Sequence, residues 1–97
     1  MIVVIFKAVI GSVDSEYAAT ADRLRTLALK EFGCLDFYSL TDGLAEIALS
    51  YWPTEEALAA WRAHPEHLAA QRAGRQRWYQ SYSVEVATIT RSHRSTD

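Results

Sequence analysis

His64 and His67 lie three residues apart in this 97-residue chain, and Trp61 lies three residues before the first of them. Imidazole changes protonation state near neutral pH, which makes it the natural general base. A base beside an indole face in an apolar cleft could take a proton from a bound aromatic ligand. Each residue also has a structural alternative. His64 precedes Pro65 and could cap a helix, with His67 in solvent. Trp52, Trp61 and Trp78 offer stacking faces for an aromatic ligand, and Trp52 and Trp78 suit core packing equally well. Arg72 and Arg75, three apart, would either steer an anionic ligand or form a solvated helix face. Pro65 separates the two histidines, and no carboxylate or thiol stands at a supporting spacing, so no metal site is expected. Gly11, Gly33, Gly43 and Gly74 are isolated and build no phosphate loop, so no organic cofactor is expected either. Cys34 reads as inert packing.

These residues need elements to hold them. Ile2 to Ile10 is apolar at nearly every position and reads as a strand buried on both faces. Asp14 or Ser15 caps a helix over Tyr17 to Glu31, with Tyr17, Ala21, Leu24 and Ala28 toward the sheet. Cys34–Thr41 and Leu44–Trp52 flank Asp42-Gly43, which predicts a type I′ hairpin with Phe37 opposite Ala48. Leu35, Phe37, Ala48 and Trp52 then share one face, and Tyr38, Leu40, Ile47, Leu49 and Tyr51 the other. Thr54 caps a helix carrying Ala57, Leu58 and Trp61, and His64-Pro65 breaks it. A further helix runs from Pro65 to Trp78, and Tyr82 to Arg91 is the last strand. The order β-α-β-β-α-α-β predicts an α+β, ferredoxin-like fold with a four-stranded antiparallel sheet and helices on one face.

Length fits one domain over residues 1–91, followed by a polar tail at 92–97. The strands are apolar on both faces, yet the helices cover only one. A second copy packed against the open face would cover the other, so a homodimer through the sheet is expected. Net charge is −2, divided as −5 over residues 1–59 and +3 over residues 60–97. That total gives no reason to expect nucleic acid as a partner. No apolar run approaches the length of a membrane span, and the first ten residues read as a strand instead of a signal peptide. A single cysteine forms no intrachain disulfide, which fits a reducing, cytoplasmic compartment.

Ile47-Ala48-Leu49-Ser50-Tyr51-Trp52, Glu55-Glu56-Ala57-Leu58 and Trp61-Arg62-Ala63-His64-Pro65-Glu66-His67, closing with Gln71-Arg72 and Trp78-Tyr79, resemble the antibiotic-biosynthesis-monooxygenase family. The resemblance spans nearly the whole chain and implies a dimeric α+β barrel. It implies cofactor-free oxygenation of an aromatic phenol or quinone-like substrate, in which the phenol loses its proton and its anion reduces O₂ directly, with a pocket tryptophan at Trp61; the residues themselves offer His67 or His64 as base and Gln71 and Arg75 as substrate contacts. A ligand-binding or structural dimer without activity is the alternative on the same scaffold. A haem-degrading branch carries an asparagine late in the first strand and a histidine ten residues after the pocket tryptophan. Lys7 and Gln71 stand there in this chain, which argues against haem degradation.

Overall fold

The computed structural model describes residues 1–95; Thr96 and Asp97, the end of the expected polar tail, lie outside the described residues. The chain runs β1 (Ile2–Ile10), α1 (Ser15–Glu31), β2 (Asp36–Asp42), β3 (Ala45–Trp52), α2 (Glu55–Arg62), α3 (Pro65–Ala73), a π-helical turn (Gly74–Trp78) and β4 (Tyr79–Thr88). The four strands form one antiparallel sheet in the order β2-β3-β1-β4. This is the expected ferredoxin-like α+β arrangement, with the first strand central.

Capping residues start each α-helix. Asp14 accepts from the Tyr17 N–H (3.1 Å), Thr54 from the Ala57 N–H (3.1 Å), and His64 Nδ1 from the Glu66 N–H (3.2 Å). Pro65 sits in the first turn of α3, where its missing N–H costs nothing.

The last helix and the last strand depart most from the sequence expectation. The helix expected to reach Trp78 leaves α geometry at Gly74, and its last five residues form the π turn. β4 then starts at Tyr79 and ends at Thr88, three residues earlier at each end than expected. The wider π turn brings Trp78 to the end of the helical segment, and the Gly11 N–H bonds the Trp78 carbonyl (2.8 Å). The chain is therefore already beside β1 when β4 begins.

The hairpin turn also differs. Asp42 pairs with Ala45, so Gly43 and Leu44 are the central residues, and Phe37 faces Ser50 instead of Ala48. Gly43 has φ +61°, while Leu44 does not have positive φ. A type I′ turn needs positive φ at both central positions; glycine first is the type II′ pattern. The register moves by two residues, an even number, so every side chain keeps its expected face. A Cβ at Gly43 would meet no atom within 4 Å, so the demand there is on the backbone. Gly43→Val should destabilise the fold by more than ~1 kcal/mol, and an unchanged melting temperature would refute the role of the turn.

The core occupies one end of the sheet. Ile2, Leu27, Ala28, Trp52, Leu58 and Trp61 are buried together, with Cys34 beside them just before β2. Ile2 pairs with Trp52, which places this core where β1 begins and β3 ends. The opposite face of the sheet, including Tyr38, Leu40, Ile47 and Val9, is exposed, Leu40 by 65%. Among the described residues no helix is long and apolar enough to cross a membrane.

Candidate functional site

Beyond the core, the space between the sheet and the helices is a cavity of about 400 Å³. Val4, Phe6, Ala48, Val84 and Val86 contribute from the sheet; Leu24, Trp61, His67 and Gln71 contribute from the helices. The volume falls within the range of small-molecule sites, as does an apolar lining with a few polar groups. Val84 and Val86 are each 49% exposed although they line it, so the cavity opens along the edge strand β4.

The structure separates the two histidines. His64 is the cap of α3, with Nδ1 taken by the Glu66 N–H, and its ring lies against Phe32 and Trp61. His67 lines the cavity. Its ring centroid is 5.0 Å from that of Trp61, which in turn is 6.3 Å from Trp52. His67 Nδ1 is buried without a hydrogen-bond partner. Burial holds the His67 pKa below its ordinary value; the Arg62 charge and His64 push the same way, and the Arg62 backbone carbonyl opposes them. His67 is therefore neutral near pH 7, the form a base requires.

Trp61 is a core residue and a cavity wall at once, and so is Trp78. The Trp78 Nε1–H is buried without a partner. Gln71 follows His67 by four residues on α3, which puts both on one helix face, and both line the cavity. Arg75 is exposed in the π turn and does not line the cavity. Cys34 is buried; its thiol donates to the Asp36 carbonyl (3.2 Å), and burial raises its pKa, which suits an inert role. Among the described residues no group of three or more histidine, cysteine or acidic side chains could hold a metal ion.

A second polar group in the same cavity was not anticipated from the sequence. The Tyr17 hydroxyl on α1 donates to Glu46 Oε2 on β3, and the Tyr79 hydroxyl on β4 donates to the Tyr17 oxygen (3.5 Å). All three residues line the cavity. Burial first, and then the bond to Glu46, push the Tyr17 pKa far above the ordinary phenol value, so its proton stays on the ring oxygen. Tyr79 is raised as well, chiefly by burial. A Cβ built at Gly74 would lie 2.6 Å from the Tyr79 ring, so the glycine at the start of the π turn is what lets that ring approach the backbone so closely.

A four-stranded antiparallel sheet with helices on one face and a lined cavity between them defines a ferredoxin-like α+β scaffold with an interior cavity. The antibiotic biosynthesis monooxygenase family model matches residues 1–73, so the chain belongs to that family. An uncharacterised Bacillus subtilis protein, YqjZ, is 42% identical over 90 residues, covering 91% of this chain and 78% of that protein. Among solved structures, SnoaB from Streptomyces nogalater, described as a cofactor-independent oxygenase, superposes with a TM-score of 0.78 at 13% identity, covering 94% of each chain. Rv0793 from Mycobacterium tuberculosis gives 0.77 at 21% identity, covering 94% of this chain and 96% of that one. At these identities the structural likenesses speak for the fold alone.

Proposed function

We propose that this protein is a cofactor-independent oxygenase of a hydroxylated aromatic, with His67 as general base and Trp61 as the wall against which the substrate stacks. The observation that carries the reading is a neutral imidazole with an unpartnered, buried Nδ1, lining a ligand-sized cavity beside an indole. The description of SnoaB as a cofactor-independent oxygenase supports it by analogy. A solid interior with both histidines in water would have favoured a structural dimer instead.

An anthrone illustrates the chemistry. His67 takes a proton from the ring methylene, and the resulting anion gives one electron to O₂. The radical pair closes a C–O bond, and the hydroperoxide, reprotonated by the imidazolium, loses water. The net change is CH₂ + O₂ → C=O + H₂O, with no outside reductant. Gln71, which lines the same cavity, is the donor this reading assigns to the oxyanion. An oxygen electrode with hydroxyquinols and 1,8-dihydroxyanthrone should show enzyme-dependent uptake of one O₂ per substrate. Uptake no faster than the spontaneous reaction would instead support a non-catalytic binding protein.

The functional unit in this reading is a homodimer. Tyr38, Leu40 and Ile47 leave an apolar band on the face turned away from the helices, and a second sheet is its economical cover. Sedimentation at micromolar concentration should give twice the 10.9 kDa chain mass. Ile47→Asp should shift the protein toward monomer, and a monomeric wild type would refute the assembly.

A further inference from the structure

The second polar group assigns a recognition role that the base chemistry does not use. We propose that Glu46 is the specificity-determining residue of the cavity: it accepts a hydrogen bond from a neutral hydroxyl of an aromatic ligand and rejects ligands carrying an anion at that position. The proposal rests on the reading of the cavity as the site of a hydroxylated aromatic.

Glu46 sits on the helix-facing side of β3, opposite Ala8 and Thr41. Trp52, the residue behind the Trp61–His67 pair, is six residues further along the same strand, about 20 Å away. Glu46 is thus well separated along β3 from the tryptophan that backs the base's neighbour. A carboxylate in an aromatic-lined space is ordinarily matched by a cation. Among the described residues no lysine or arginine pairs with Glu46, and its partner is the neutral hydroxyl of Tyr17.

The hydrogen-bond direction decides what the group can bind. Tyr79 donates to Tyr17 and Tyr17 donates to Glu46 Oε2, so the chain of donors ends on an acceptor. Glu46 Oε1 has no hydrogen-bond partner among the described residues. A ligand hydroxyl completes it; a ligand carboxylate or phosphate set against Glu46 meets like charge, and the two arginines that line the cavity, Arg25 and Arg62, do not pair with Glu46.

The carboxylate is also aimed. Tyr17 packs edge-on against Trp78 with centroids 5.2 Å apart, and Tyr79 packs against Phe6 at 5.3 Å. Gly74 leaves room for the Tyr79 ring and for no Cβ. Tyr17 and Tyr79 are thus positioning residues that act through Glu46.

Calorimetric binding of three probes of one shape tests this: 2-naphthol, 2-methoxynaphthalene and 2-naphthoate. Wild type should bind 2-naphthol about tenfold more tightly than the methyl ether, the gain of a hydrogen bond to a charged acceptor, and 2-naphthoate most weakly. Glu46→Gln should remove most of the hydroxyl preference and admit 2-naphthoate. Tyr17→Phe keeps the ring packing and frees the carboxylate, so it should lower the preference about threefold; it serves as the second variant should Glu46→Gln fail to fold. Arg75→Ala, outside the cavity, should leave the preference in place. No binding, no preference in wild type, or a preference kept in Glu46→Gln, overturns the proposal. None of those results touches the base reading, which is judged by O₂ uptake.

Discussion

Trp52→Ala is expected to destabilise the protein by about 3–5 kcal/mol, the range for truncating a fully buried tryptophan. Trp52 has 0% exposure and is the largest side chain fully enclosed in the fold. Its ring lies beside Trp61, and its Nε1–H donates to Ser50 Oγ across 2.9 Å, a buried bond. The variant leaves a void at the centre of the core and an unpaired Ser50 hydroxyl. A chain this small has a total stability on the order of 5–15 kcal/mol, so one substitution takes a large share of it. At roughly 4 °C or more per kcal/mol, the melting midpoint should fall by about 12 °C or further. Trp52→Phe retains most of the packing and loses the hydrogen bond, so it should fall between wild type and Trp52→Ala. Thermal unfolding followed by circular dichroism measures both. A shift of less than about 4 °C in Trp52→Ala would mean that the core is not organised around this residue.

The contrast between Trp52 and Glu46 shows what was legible before the structure. Trp52 stands at the end of a run with alternating faces, and the face it shares with Phe37 and Ala48 is kept by the two-residue change of register. Caps were equally plain, because Asp14, Thr54 and His64 act on amides two or three residues away. The turn was read one residue early. Asp42 and Gly43 both tolerate positive φ, and local chemistry alone does not decide whether the pair or the glycine with its successor forms the apex. The parity of the error preserved the faces and hid it. The end of the last helix was out of reach for a different reason: Gly74–Trp78 has helical composition, and the π geometry follows from docking against β1 and Tyr79.

The Tyr17–Glu46–Tyr79 chain joins residues 29 and 62 positions apart. Tyr17 fell on an apolar helical stripe and read as packing, and nothing in the sequence singled out Glu46. Only the β1–β3–β4 registers bring them together, and those registers depend on the turn and the π segment. Arg75 marks the converse failure. Its spacing from Arg72 suggested an anion-steering pair, but the π turn changes the angular step per residue, and Arg75 does not line the cavity.

His67→Ala is expected to lower turnover on a responsive aromatic substrate by roughly 10²-fold or more, about 2.7 kcal/mol of barrier, while leaving the fold intact. His64→Ala should keep turnover near wild type and cost about 1 kcal/mol of stability, because its Nδ1 serves the α3 N-terminus. The wild-type rate should rise with pH along an acid limb that lies below the ordinary imidazole value of ~6.5, since burial lowers the His67 pKa. The same shift has a stability signature with a definite sign. Above ~6.5 the imidazole is neutral in both folded and unfolded chains and contributes nothing. As pH falls below that value, the unfolded chain takes up the proton first, and stability declines until the lower folded pKa is reached. His67→Ala should flatten that part of the stability curve and remove the acid limb of the residual rate. Oxygen consumption and urea unfolding across pH, on His64→Ala, His67→Ala and the double variant, measure both signatures. Full turnover in the double variant would exclude both imidazoles as the base. Loss of turnover in His64→Ala alone would reverse the two roles, moving catalysis to the capping residue and leaving His67 as a packed side chain against Trp61.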